Sequence, residues 1–484
     1  MRVGLIDWAG SYLSNECFRD GVTALGKTLG RKQTWELRVS QKRGKQAVVE
    51  LLGHQGHHLL VDPDGGVRCG HPATPGQSQF LLQLHGDGAW TLQQLDGGKF
   101  LESDGENVLC VSRQPRAPRH LWLPQPAIHA HVALYHPASR CYARADPHVD
   151  QVWVDQPVPY GQECGFVLRF RGSLCHVETA AHTYVSRAEK LAPQPSADTA
   201  FRLSLAPGGL ASLSHPDGRV LCPQGGRRLL TLVDQPSEED RWFVLKRCPT
   251  WVSLRTQARR YVSIICDTEV YAGTDEVTPK SVFLYEYDRD TKTVQFKAIN
   301  NSYLAQRKSK SIVANGLRME PETNFRITWH HGQVVLQAFN GRYLGTLPVG
   351  LVVASAAQPG PNEVFGVRLS NRPFLVLHGR YGYVGSSACH EALQCNLADP
   401  DCIELLPCVQ GIYHFQAHGR GFWSLSSDGT FRTGGKFALN FYLEIRGNNV
   451  LAVLAPNGYY LRGDRSGMLR ADGEEVTSEC LWEF

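Results

Sequence analysis

No stretch of this 484-residue chain approaches the roughly 18 consecutive apolar residues that a spanning helix requires, so no membrane insertion is expected. The opening residues, Met1 to Ile6, carry no basic head, apolar centre or cleavage site, which argues against a secretory leader and for a cytoplasmic protein. The 14 cysteines, among them Cys17, Cys69, Cys110 and Cys141, keep no repeated spacing, and in a cytosolic protein they read as small buried hydrophobes held reduced. One cluster, Cys389-His390, Cys395, Cys402 and Cys408, gathers metal-ligating residue types. Its gaps exceed the usual spacing of about two to four residues between paired zinc ligands, so no metal is expected. A net formal charge of +4 is too slight for a dedicated nucleic-acid binder, although it leaves room for local basic patches.

Catalytic signatures are missing as well. There is no Gly-x-Ser-x-Gly, no phosphate-cradling Gly-Lys-Ser/Thr and no His-Glu-x-x-His, and none of the 19 histidines has a nucleophile motif beside it. His54, His57 and His58 stand by a turn and are expected to face solvent. The chain reads as a non-enzyme without a cofactor. No segment holds an apolar i, i+3, i+4, i+7 stripe over three turns, so helix should be scarce.

What is present is a period of about 40 residues running from end to end. Its first marker is an aromatic or apolar residue followed by an aliphatic one. Examples are Tyr12-Leu13, Leu59-Leu60, Phe100-Leu101, Tyr184-Val185, Val220-Leu221, Tyr261-Val262, Tyr303-Leu304, Tyr343-Leu344, Tyr383-Val384 and Tyr460-Leu461, with looser copies at Tyr142 and Phe422. The second marker opens a strand with a bulky residue: Trp35, Phe80, Trp122, Phe166, Phe201, Trp242, Phe283, Phe325, Phe365, Ile403, Phe441 and Trp482. Between them lie hairpin signatures, such as Gln333 to Leu344, where apolar and polar residues alternate up to the Asn340-Gly341 turn. Forty-seven glycines and 27 prolines supply the turns.

Proline follows the third, sixth and ninth second markers, at Pro124 and Pro126, Pro249, and Pro373. It lacks an amide hydrogen and suits a seam between units that no longer pair. A chain of this size needs several cores, and these seams cut it into four domains of about 120 residues: 1–126, 127–248, 249–372 and 373–484. Three β-units per domain, burying their aromatic faces around a pseudo-threefold axis, make a β-trefoil; the fold class is all-β, four tandem β-trefoils. The structural rival is a β-propeller, which would not need a proline break after every third unit and whose Gly-His…Trp-Asp signature is missing.

Candidate binding features are modest taken singly. Gln33-Thr34-Trp35 matches the Gln-x-Trp of sugar-binding trefoils but occurs once, and a core tryptophan on a barrel strand accounts for it. Basic clusters occur at Lys27 to Lys32, Lys42-Arg43-Gly44-Lys45, Arg227-Arg228, Arg259-Arg260 and Arg307-Lys308-Ser309-Lys310. A body with several basic faces can engage a large acidic partner more than once.

The segments Arg2 to Leu13, Lys27 to Trp35, Ser370 to Gly385 and Leu481 to Phe484 closely resemble the fascin family of actin-bundling proteins, and within it the testis-type branch. The resemblance covers essentially the whole chain. It implies four trefoils packed as two lobes, a monomer that crosslinks parallel filaments of actin, and a major actin site in the cleft between the first and last trefoils. In the family a phosphorylatable Ser beside a Leu-Lys-Lys-Lys run switches that site off. The matching residues are Thr28, as the phosphorylation candidate, Leu29, Gly30, Arg31 and Lys32, preceded by Lys27. Arg368, Arg372 and Arg462 fall on basic positions of the family site. His378 replaces a family Arg, Arg380 an acidic residue, Ser386-Ser387 an Arg-Lys pair, and Ser11 a Lys. The alternatives are a trefoil scaffold or glycan-binding module, or a filament binder that no longer bundles.

Overall fold

The structure is a computed structural model that describes residues 1–16, 20–43, 46–115, 118–226, 228–308, 310–386 and 392–484. Cys17, Gly44, Lys45, Arg227, Ser309, Ser387, Cys389 and His390 therefore lie outside the described residues. Among those described, helix is confined to three-residue 3-10 turns such as Arg31–Gln33 and Pro361–Glu363. The rest of the regular structure is antiparallel strand.

The chain divides into two compact units, Met1–Val158 with Phe166–Arg247, and Pro159–Gly165 with Cys248–Phe484. Each unit holds two β-trefoils, and in each trefoil an early strand returns to a late one. In the first unit, Arg2–Ile6 pairs with Leu123–Pro126, Val3 facing Pro126 and Ile6 facing Leu123. His131–His136 pairs likewise with Phe243–Arg247, Val132 facing Arg247. In the second unit, Trp251–Thr256 pairs with Val364–Leu369, and His378 bridges Glu483. Pro124 and Pro126 thus stand inside a paired strand and not merely beyond the end of one. The strand is a two-proline edge, where a missing N–H removes no essential ladder bond.

The two sequence markers meet inside the barrels. The indole N–H of Trp35 donates to the Leu13 carbonyl at 2.9 Å, that of Trp122 to Leu101 at 3.1 Å, and that of Trp482 to Leu461 at 3.2 Å. The bulky residue fills the core while its polar edge satisfies a carbonyl on the neighbouring hairpin, as buried tryptophan requires. The aromatic of the first marker repeatedly sits at a β-bulge, as at Tyr261/Val262, Tyr303/Leu304, Tyr343/Leu344 and Tyr460/Leu461. A bulge at that position bends the hairpin over the barrel mouth. Turn asparagines recur too, Asn300, Asn340 and Asn457 each donating to a carbonyl 14 residues on.

One marker was misplaced by a residue. Trp242 is only half-buried, its N–H held by Glu238 at 3.1 Å, whereas Phe243 is buried in the core. Neighbouring side chains of a strand point to opposite faces, so only one of two adjacent aromatics can enter the barrel.

Within the first unit, Trp90 donates across the two trefoils to the Leu205 carbonyl at 3.0 Å. Within the second, the seam between its trefoils is buried and polar. Tyr285 Oη donates to Ile445 O at 3.1 Å, Thr250 Oγ1 to Asn449 Oδ1 at 2.7 Å, Asn449 Nδ2 to Cys248 O at 2.7 Å, and Leu369 N to Tyr413 Oη at 2.9 Å. Burial pushes the Tyr413 phenol up to about 12, so it stays protonated as a neutral hydrogen-bonding group.

Candidate functional site

In the first unit the loop from Lys27 to Lys32 follows the strand Val22–Gly26 and runs into the 3-10 turn Arg31–Gln33. Three contacts fix it. Lys27 Nζ donates to Ser11 Oγ at 3.0 Å, Lys32 Nζ pairs with Glu16 Oε2 at 2.9 Å, and the Leu29 side chain lies over the bare backbone of Gly4. Any side chain at Gly4 would collide with Leu29, its Cβ falling 2.4 Å from Leu29 Cδ1. Leu29 therefore anchors the loop by packing. Gln33 closes the turn, its Oε1 accepting from Gly30 N at 3.2 Å and its Nε2 donating to Ser14 Oγ at 2.9 Å. Gln33 is thus engaged within its own turn, and Trp35 is buried in the core.

Thr28 and Arg31 are exposed, and the Thr28 carbonyl accepts from Gly30 N at 3.0 Å. Burial first, then the positive charges of Arg31 and Lys32, push His54 below its ordinary value. His54 thus belongs to the surroundings of the basic loop, half-buried and neutral at physiological pH, and does not simply face solvent. His57 is half-buried as well, its ring edge-on to His71 at 4.9 Å.

In the second unit the named residues occupy three settings. Arg372 is 4% exposed; its Nη2 donates to Cys248 O at 2.8 Å and to Phe484 O at 3.4 Å, and the guanidinium lies 5.0 Å from the Phe484 ring. Expected from the family resemblance to meet the filament, Arg372 is instead buried in the seam between the unit's two trefoils. Arg380, Tyr381, Glu479 and Arg462 form a surface chain. Arg380 lies over the Tyr381 ring at 6.0 Å, Tyr381 Oη donates to Glu479 Oε1 at 3.0 Å, and Arg462 reaches Glu479 at 3.4 Å. Arg462 also grips Asp472 in a two-pronged bond of 2.8 and 2.7 Å. That bond raises Arg462 well above its ordinary value, and the carboxylates offset much of its charge. His378 lies against Tyr383, ring centres 4.6 Å apart.

Arg368 is exposed, its Nη1 donating to Tyr261 Oη at 3.3 Å. Ser386 accepts a hydrogen bond from Arg420. Arg420 was not singled out in the sequence; it lies 34 residues along the chain and no motif marks it.

The fascin domain model matches residues 9–123, 257–367 and 381–484. Fascin-3 of Mus musculus is 52% identical over 484 residues, covering 100% of this chain and 97% of the relative. Fascin-3 of Homo sapiens is 50% identical with the same coverage, and Fascin-2 of Mus musculus is 31% identical over 486 residues, covering 100% and 98%. With the repeated trefoils and the matched length, the chain belongs to the fascin family.

Proposed function

We propose that this protein binds and bundles actin filaments as a monomeric crosslinker of the cytoplasmic actin cytoskeleton, with exposed basic residues in each of its two units offering filament contact. The observation that carries the reading is end-to-end similarity to fascins, joined to exposed cations on the family's site positions. In the first unit Arg31 supplies exposed charge that Lys27 and Lys32 extend; in the second Arg368, on the third trefoil, and Arg380, on the fourth, do so, with His378 and Arg462 as further candidates. Arg372 is left out because it is buried. The buried polar seam inside the second unit supports the stiffness that crosslinking needs. Phosphate on exposed Thr28 would add about −1.5 to −2 charge beside Arg31 and Lys32 and weaken attraction to an acidic filament.

Low-speed pelleting of filaments tests the reading: bundles should sediment at low salt and diminish at high salt, where screening shortens the Debye length below about 10 Å. No bundling at any salt rejects it. A second reading, binding without bundling, is favoured by the carboxylates already occupying Lys32 and Arg462. High-speed pelleting without low-speed pelleting would establish that second reading.

A further inference from the structure

Between the two trefoils of the second unit lies a cleft of about 310 Å³ whose lining includes Arg255, Arg259, Tyr261, Arg368, Cys408 and Ile412. Its lining contains no aspartate or glutamate. Arg255 comes from the strand Trp251–Thr256 and Arg368 from its partner Val364–Leu369, so the sheet register itself sets two of the guanidiniums. Both are oriented on Tyr261: Arg255 lies 5.3 Å from its ring, and Arg368 donates to its hydroxyl at 3.3 Å. Arg255 Nε also donates to the Arg259 carbonyl at 3.2 Å, and Arg259 holds a left-handed backbone, φ 61°, uncommon for a long side chain.

Several other arginines of this unit are ion-paired, among them Arg260 with Asp275, Arg307 with Glu320 and Arg462 with Asp472. The three in the cleft have no carboxylate partner among the described residues. A concave site that gathers three cations, holds two of them on Tyr261 and has no carboxylate in its lining is a site for an external anion. Guanidinium forks bind phosphate oxygens two at a time, and the volume suits a small molecule and not a strand of polymer.

We propose that this cleft binds a small soluble ligand bearing two or more phosphate groups. The site shares Arg368 with the proposed filament contact, so the test avoids substituting it.

Cys408 at the cleft provides a reporter. Its thiol is exposed and lies 3.5 Å from His414 Nδ1, so it is open to alkylation. The experiment follows iodoacetamide labelling of Cys408 in the full chain by peptide mass spectrometry, with inorganic pyrophosphate as the probe. At a probe concentration ten times its dissociation constant, roughly a tenth of the sites are free, so labelling should slow about tenfold. Exposed Cys266 should label at an unchanged rate. The protection should disappear in the double variant Arg255→Gln/Arg259→Asn, asparagine being chosen because it tolerates the left-handed backbone. Absence of protection, equal protection by sodium chloride at matched ionic strength, or full protection in the double variant would each overturn the proposal. Protection by phosphatidylcholine vesicles containing phosphatidylinositol bisphosphate, without protection by pyrophosphate, would overturn the soluble-ligand assignment in favour of a lipid headgroup. If the double variant does not fold, the pyrophosphate and salt arms on the unaltered chain still decide.

Discussion

Replacing Asn449 measures how much the seam inside the second unit stabilises the body. Asn449 is 8% exposed; it accepts from Thr250 Oγ1 at 2.7 Å and donates to Cys248 O at 2.7 Å. It also holds φ 55°, a left-handed conformation that asparagine and glycine tolerate better than alanine. Asn449→Gly keeps the backbone and removes both hydrogen bonds. Cys248 O retains its bond from Arg372, so the buried Thr250 hydroxyl is the group left without a partner. The expected cost is about 2 kcal/mol, the centre of the range for orphaning a buried polar group. In a unit of this size that corresponds to roughly 4–8 °C of melting temperature. Asn449→Ala removes the same bonds and adds left-handed strain of about 1–2 kcal/mol. It should melt lower still. Calorimetry of the whole chain reads the shift, and hydrogen exchange in the Cys248–Thr250 peptide assigns it to the seam. Equal melting of Asn449→Gly and the unaltered chain would show that the two bonds contribute nothing net. Equal melting of the two variants would refute the backbone argument.

Glu16→Gln releases Lys32 from its ion pair and should increase filament pelleting at low salt, with the gain fading as salt rises; a decrease would mean that pairing positions Lys32 productively. Trp482→Phe deletes the indole donor to Leu461 O and should lower stability by about 1–3 kcal/mol, read by thermal denaturation, with unchanged melting refuting a role for the marker bond. Glu178 gives a pH dependence. Burial pushes its carboxyl up, but the bond from His182 at 2.7 Å together with Arg169 outweighs burial and holds it below the ordinary value. A lowered carboxylate stabilises the fold above the unfolded value, near 4.3, and that contribution disappears as pH falls through the folded value. Glu178→Gln should therefore melt lower than the unaltered chain at neutral pH, with the gap closing in acid; a gap that widens in acid would reverse the assignment.

The repeat was legible because both of its markers obey local rules. The bulky strand opener is buried in most copies and the aromatic before the aliphatic residue bulges in many, so the pair leaves a repeated trace. Trp242 was misread because Phe243 follows it directly, and periodicity does not say which of two adjacent aromatics turns inward. The role of Pro124 and Pro126 was half legible: proline marked the seam, but its pairing with Val3 and Leu5 depends on a contact more than a hundred residues away. The site was legible as a set of charges and not as a state of charge. Nothing local shows that Glu16 neutralises Lys32, that Asp472 and Glu479 claim Arg462, or that Arg372 lies under Phe484. Those partners converge through tertiary folding. Arg420 reaches Ser386 for the same reason.

The return of Leu123–Pro126 onto Arg2–Ile6 has a consequence during synthesis. The opening strand leaves the ribosome long before its partner exists, and at about 5–20 residues per second it waits for several seconds with an open ladder edge. His131–His136 and Trp251–Thr256 face the same delay before Phe243–Arg247 and Val364–Leu369 emerge. Nascent chains of this protein are accordingly most vulnerable to mispairing just before each trefoil is completed, and slow translation there would lengthen the exposure.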